Sequence, residues 1–313
     1  MILISVIIPT FNKAKILQKS LIKYDCQSLD KRIFEIIVVD DGSAKNEKEK
    51  VREIIKGLRI KVLFFEQKHL GPAAARNIGI KKAKGKIVLL VNDDTIPSLD
   101  FIKGHLLFHW KHLGEEYGLL SYLTWDSGLE ITSFMKWLEN GGPYFSFNKL
   151  ESKTEVGWER FWTCGVSVKK SFLLKAGLFD EQFPFAAWED IELGYRLNRK
   201  GLKLFYDKSI TAFHYHPTTL KSVKNKMLSN GEALMVLRKK IPKKYHQPLA
   251  IYPKLAMFLD KLFLPRPFFE ILENLAFFFE KKFISHLLYT IVLLHYRIEG
   301  LRNYELNDNK SQK

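Results

Sequence analysis

The chain has 313 residues, 46% hydrophobic and 27% charged, which allows one large domain or two modest ones and excludes wholesale disorder. Fifty Lys and Arg against 34 Asp and Glu give +16, and residues 221–313 hold 17 basic and 8 acidic residues, a net +9 in the last third. Two cysteines, Cys26 and Cys164, exclude a disulfide framework or zinc ribbon and suit a reducing compartment, while no apolar run approaches the roughly 20 residues of a membrane span.

Residues 4–8, Ile-Ser-Val-Ile-Ile, read as a buried strand closed by Pro9-Thr10, and residues 15–24 have helical spacing. No basic stretch followed by an apolar one precedes that strand, so no export leader is expected. A second strand over 34–39 stops at Asp40-Asp41-Gly42-Ser43, a helix covers 46–56, and a third strand covers 60–65. Gly71-Pro72 opens a helix reaching about residue 84, since proline suits a first helical turn, and residues 86–91 form a fourth strand ending at Asn92-Asp93-Asp94. Strands alternating with helices predict an α/β domain with a mostly parallel sheet, whose polar clusters fall at the carboxyl ends of the strands.

Farther on, residues 117–123 and 163–168 read as strands, and Gly141-Gly142-Pro143 marks a loop. Residues 171–176 form a short helix closed by Gly177, and residues 191–200 a longer one closed by Gly201. From residue 220 the pattern is helical, broken by prolines at 242, 248, 253, 265 and 267. Apolar stripes there (Phe268, Phe269, Leu272, Leu275, Phe279, then Ile284, Leu287, Leu288, Ile291) are flanked by Lys281-Lys282, Arg297 and Arg302. They suit core packing or a basic amphipathic surface lying on an anionic membrane face.

Four clusters carry the chemistry. Pro9-Thr10-Phe11-Asn12-Lys13 is, taken alone, a turn. Of the adjacent carboxylates Asp40 and Asp41, one suits capping and the other a ligand, because two unpaired neighbours repel. Arg76, in Ala75-Arg76-Asn77, reads as a surface residue of its helix. Asn92-Asp93-Asp94 at a strand end suits either capping or a hard divalent cation, which is commonly held by one or two carboxylates plus substrate phosphates.

In sequence order, Ser5-Val6-Ile7-Ile8-Pro9-Thr10-Phe11-Asn12, Val38-Val39-Asp40-Asp41-Gly42-Ser43, Gly71-Pro72-Ala73-Ala74-Ala75-Arg76-Asn77 and Leu90-Val91-Asn92-Asp93-Asp94 resemble the nucleotide-sugar half of family 2 glycosyltransferases. The resemblance continues through Thr163-Cys164-Gly165-Val166-Ser167-Val168, Gly177-Leu178-Phe179-Asp180-Glu181 and Trp188-Glu189-Asp190-Ile191-Glu192-Leu193-Gly194-Tyr195-Arg196, covering about residues 4–216. It implies a GT-A fold over residues 1–219, with a nucleotide-sugar half to about 115 and an acceptor half over 116–219, followed by a helical basic region over 220–313.

The same resemblance implies that Pro9, Thr10 and Phe11 border the nucleotide, with Phe11 offering a stacking face. Asp41 would accept a hydrogen bond from the base, usually uracil, and Arg76 would lie near the nucleotide. Asn92, Asp93 and Asp94 stand where the family has its DxD motif, with Asn92 departing from it, so that Asp94 and then Asp93 would ligate Mn²⁺ or Mg²⁺. His214 or His216 would complete the metal shell, or serve as ordinary structural histidines. Asp190 would be the general base and Glu189 would position the acceptor or cap the helix. The function implied is inverting transfer from a nucleoside-diphosphate sugar, UDP-linked by family habit, to a glycan or lipid-linked acceptor hydroxyl in bacterial polysaccharide or glycoconjugate synthesis. The expected location is cytoplasmic, with peripheral contact at the inner face of the plasma membrane through the carboxy-terminal helices. The rival readings are a catalytically weak glycan-binding protein on the same scaffold and a sugar-phosphate nucleotidyltransferase. No nucleic-acid recognition motif accompanies the positive charge.

Overall fold

Seven consecutive buried residues make β1 (Ile4–Thr10), and seven more make β2 (Phe34–Asp40), the signature of strands covered on both faces. The computed structural model describes residues 1–140, 142, 146–183, 186–246, 266–279 and 283–311. Gly141, Pro143, Pro248, Pro253, Pro265 and Lys281-Lys282 lie outside the described residues.

The chain forms two compact units, Met1–Leu129 with Lys149–His216, and Glu130–Asn148 with Pro217–Lys313. The first unit holds a nine-stranded sheet. Its early strands are β1, β2, β3 (Val62–Glu66), β4 (Ile87–Leu90) and β5 (Thr95–Pro97); the later ones are β6 (Tyr117–Trp125), β7 (Thr154–Val156), β8 (Val166–Lys169) and β9 (Lys203–His214). The order is β3-β2-β1-β4-β8-β6-β9-β5, with β7 also on β9. The first four strands are parallel, whereas β8 runs antiparallel to both β4 and β6, and β5 and β7 antiparallel to β9. The helices of this unit are α1 (Ala14–Asp25), α2 (Lys45–Lys56), α3 (Pro72–Lys82), α4 (Phe101–Lys111), α6 (Lys170–Ala176) and α7 (Glu189–Asn198). Gly177, at φ +90°, closes α6 in the left-handed conformation that glycine adopts without strain.

Three strands were not read from the sequence, β5, β7 and β9, and β7 is only three residues long. β5 is three residues ending in Pro97, which is tolerated because the strand is at the sheet edge. β9 runs twelve residues, but its register against β6 jumps from Ser121–Asp207 to Tyr122–Thr211. The bulge at Lys208-Ser209-Ile210 breaks the alternation that would have announced the strand.

The second unit contains α5 (Ser133–Asn140), α8 (Leu220–Lys240), α9 (Arg266–Phe278) and α10 (Phe283–Ser311). Thr219 and Ser222 form a reciprocal capping box at the start of α8. α8 and α10 meet backbone to backbone: a Cβ on Gly231 would lie 2.1 Å from the Arg297 carbonyl oxygen, and one on Gly300 2.0 Å from that of Leu228. α9 packs through Phe269, stacked on His295 at 3.5 Å, and ties to α8 by the Lys224–Glu273 ion pair at 2.6 Å. Its other face leaves Phe268, Ile271, Leu275 and Phe278 exposed at helical spacing. No helix among the described residues is long and apolar enough to cross a membrane.

Candidate active site

The carboxyl ends of β1, β2 and β4 release their loops toward one edge of the sheet, and the acidic clusters sit there. After β2, the Asp40 carboxylate accepts from the amides of Gly42 (3.1 Å) and Ser43 (2.9 Å) and so holds the turn. Asp41 clamps a second loop. Its Oδ1 accepts from Gln67 Nε2 (2.6 Å) and the amides of Leu70 (2.8 Å) and Gly71 (3.1 Å), and its Oδ2 from Gly71 (3.0 Å), with His69 Nδ1 at 2.9 Å. These bonds take up most of the carboxylate's acceptor capacity. The two loops touch at Gly42, whose φ is +82° and where a Cβ would stand 2.6 Å from the His69 nitrogen. Phe11 stacks on the His69 ring at 4.2 Å and stays 40% exposed, leaving its other face open. Pro9 is buried in β1, level with Val39.

Asn92, Asp93 and Asp94 follow β4. Asp93 accepts from Thr10 Oγ1 and from Lys13 Nζ, each at 3.0 Å. The Lys13 ammonium also lies 3.5 Å from Asp94 Oδ2, so one cation spans both carboxylates. β9 delivers His214 level with Thr95, placing His214 Nε2 3.4 Å from Asp94 Oδ2, and the Tyr215 amide donates to the Asp94 carbonyl at 2.9 Å. The His216 ring is 5.9 Å from that of His214.

Burial, reinforced by the charge of Asp94, pushes the Asp93 carboxyl up to about 6. Burial would also raise Asp94, but the neighbouring charges of His214, Lys13 and His216 outweigh it and hold that carboxyl below its usual range. Lys13 stays above the ordinary lysine value, because the two carboxylates overcome its desolvation.

Arg76 is not the surface residue its helix suggested. It is buried, donates from Nη1 to Glu189 Oε1 at 2.8 Å and from Nη2 to the Asn92 side-chain carbonyl at 3.0 Å, and so joins α3, the end of β4 and the start of α7. Asn77 braces the same helix by exchanging two 2.9 Å bonds with the backbone of Phe179. The chain enters α7 through Trp188 at φ +70°, a left-handed conformation that bulky residues rarely adopt. Glu189 is buried, with Oε2 unpartnered.

Asp190 accepts from its neighbour's amide, Ile191 (2.8 Å), and from the Thr163 amide (3.4 Å), and keeps part of its surface open. Burial and the adjacent charge of Glu189 push its carboxyl up to about 7. The Cys164 thiol is driven up to about 12, first by burial, then by the negative charge of Asp190, and also by that of Asp94. Arg76, bonded to both Asn92 and Glu189, joins the Asn92–Asp94 and Glu189–Asp190 clusters.

Lys13, His69 and Cys164 are site residues that sequence reasoning did not assign. Lys13 had a usable signal, since a lysine three residues past a strand end next to an acidic loop is a ready counter-ion. The other two had none.

Among the described residues no group of three or more His, Cys, Asp and Glu side chains is arranged to hold a metal ion. Asp94 nonetheless presents a buried, unpartnered Oδ1 beside the His214 imidazole, with Asp93 adjacent. Oxygen and imidazole donors of this kind suit Mn²⁺ or Mg²⁺ when a diphosphate supplies further oxygens.

Residues 5–113 match the Glycosyl transferase family 2 model. The chain is 29% identical over 279 residues to chondroitin synthase of Escherichia coli, a match covering 78% of this chain and 39% of that protein. It is 29% identical over 222 residues to validoxylamine A glucosyltransferase of Streptomyces hygroscopicus subsp. jinggangensis, covering 64% and 53% respectively. The chain thus spans about half or less of these relatives. Among solved structures it resembles the mannosyltransferase PcManGT from Pyrobaculum calidifontis in complex with GDP-Man and Mn²⁺ (TM-score 0.65, 14% identity, 97% of this chain and 87% of that one). It also resembles S. aureus TarS 1–349 (TM-score 0.56, 19% identity, 97% and 89%). At such identities the structural likeness speaks for the fold alone. Residues 5–113 are thus similar to glycosyltransferase family 2, and the fold is GT-A.

Proposed function

We propose that this protein is an inverting glycosyltransferase that moves a sugar from a nucleoside-diphosphate sugar, UDP-linked, to an acceptor hydroxyl in bacterial polysaccharide or glycoconjugate assembly. The observation that carries the reading is the pairing of two acidic clusters joined by Arg76: Asp93–Asp94 with Lys13 and His214, and Asp190 beside Glu189. The exposed face of Phe11 and the loop held by Asp41 supply a place for the base.

In this reading Asp190 takes the proton of the acceptor hydroxyl as that oxygen attacks the anomeric carbon. The bond to the diphosphate oxygen breaks on the opposite side, which inverts the configuration. A carboxyl held near 7 is matched to that task, because it is ionised for part of the time and basic when it is. Glu189, bonded to Arg76, fixes the first turn of α7 and therefore where Asp190 points. Asp94, Asp93 and His214, with His216 behind, would hold a divalent cation, Mn²⁺ or Mg²⁺. When bound, such an ion offsets charge on the departing diphosphate. Lys13 lies close enough to share that task.

A panel of nucleotide sugars screened for thermal stabilisation with Mn²⁺ present, followed by donor hydrolysis with and without the metal, tests the reading. Stabilisation and hydrolysis with at least one UDP-sugar are expected. Stabilisation without hydrolysis or transfer to any acceptor would favour a glycan-binding protein, and release of pyrophosphate from UTP and a sugar phosphate would favour a nucleotidyltransferase.

Peripheral membrane contact is part of the proposal. It is supported by the exposed apolar stripe of α9 and by the net +9 of residues 221–313.

A further inference from the structure

The Lys13 ammonium sits 3.0 Å from Asp93 and 3.5 Å from Asp94, the two carboxylates that would receive a divalent cation. It bridges them as such a cation would. Its own side chain is 36% exposed, so the stem has room to swing, while the two carboxylates are almost fully enclosed. Thr10 holds the far oxygen of Asp93 and His214 approaches Asp94, so the carboxylates are fixed and the lysine is the movable member.

We propose that Lys13 is a resident counter-ion that closes the Asp93–Asp94 pair to a bare divalent cation and yields it when a nucleoside diphosphate arrives. The inference rests on the donor-binding reading given above. Two cations cannot both occupy the gap, since like charges at this separation repel strongly in a protein-like medium. A diphosphate carries about three negative charges and gives the displaced ammonium a new partner, and lysine binds phosphate well as a point charge. Metal and nucleotide are thereby coupled: each raises the affinity for the other, and the coupling runs through Lys13.

The test is a Mn²⁺ titration of the full chain, read by the electron paramagnetic resonance of free Mn²⁺, for wild type, Lys13→Met, Lys13→Gln and Lys13→Arg. Each titration is done without nucleotide and then with saturating UDP, with GDP in parallel. Without nucleotide, wild type and Lys13→Arg should bind Mn²⁺ weakly and both neutral variants about tenfold or more tightly. UDP should tighten Mn²⁺ binding to wild type by a larger factor than to either neutral variant. If wild type binds Mn²⁺ with UDP but the neutral variants bind the bare ion no better than wild type does, the counter-ion role is overturned and the donor-binding reading stands. If no variant binds Mn²⁺ with or without either nucleotide, the metal reading fails and takes this inference with it. Having two neutral variants guards against one of them folding poorly, and Lys13→Arg separates the charge from the shape of the side chain.

Discussion

The Arg76 guanidinium donates to the Glu189 carboxylate at 2.8 Å with both side chains 4% exposed, and its other arm reaches the Asn92 carbonyl at 3.0 Å. This ties Asn92, just past the end of β4, to the first turn of α7. With a neutral Asn92, the charge of Arg76 is matched by Glu189 and not divided between two carboxylates.

Removing one member of this pair leaves a buried charge uncompensated. Arg76→Met and Glu189→Gln should each lower unfolding stability by about 3–5 kcal/mol. The double variant should lose less than the sum, because the stranded charge disappears. Urea unfolding of the three variants checks this, and additive losses would mean the two side chains do not act as a pair.

Asp190→Asn keeps the shape of the side chain and removes the proton acceptor, so transfer should fall by about 10²–10⁴ with donor affinity nearly unchanged. Glu189→Gln should reduce transfer less than Asp190→Asn does. In wild type, kcat/KM should rise with pH and level off above about 7, where the Asp190 carboxyl is ionised. A flat profile between pH 5 and 8 would contradict the assignment.

The same group has a stability signature of opposite sign to most carboxylates. Its folded-state value lies above that of an unfolded aspartic acid, so the native state holds the extra proton between about pH 4 and 7. Its contribution is therefore fully present below about pH 4 and is lost as pH rises through about 7. Asp190→Asn should stabilise the protein more at pH 8 than at pH 5, as measured by paired thermal melts.

Asp94→Ala should abolish metal-dependent nucleoside-diphosphate binding, because the single charge of Lys13 offsets only part of the acidic pair and a diphosphate of about −3 charge still calls for a divalent cation there. Isothermal titration with UDP in Mn²⁺ and in chelator measures it. Equal affinity in the two conditions would sink the idea.

If the α9 stripe lies on an anionic membrane face, the protein should co-sediment with phosphatidylglycerol-containing vesicles at low salt and be released as salt rises. Ile271→Asn or Phe278→Ser should weaken that binding and leave nucleotide-sugar turnover in solution unchanged. No co-sedimentation of the wild-type chain at low salt would remove membrane contact from the proposal.

The elements that site one acidic cluster were legible in the chain itself. β1, β2 and β4 are largely apolar runs that give way to polar clusters at Thr10, Asp40-Asp41 and Asn92-Asp93, and burial on both faces leaves that signal in the residues themselves. Pro72 and Gly177 likewise marked helix ends by backbone chemistry that needs no neighbour. What only the tertiary structure decided is who meets whom. β9 hides behind its bulge, yet it brings His214 to Asp94 across 120 positions of sequence. Arg76, by local pattern a surface residue, is buried because α3 and α7 pack around it and Glu189 supplies the charge that lets a guanidinium leave water. Lys13 and Asp93 lie 80 residues apart, and Arg76 meets Asn92 and Glu189 from different parts of the chain. Local propensity follows from neighbours along the chain, whereas charge compensation depends on distance in space, and the sheet order sets those distances.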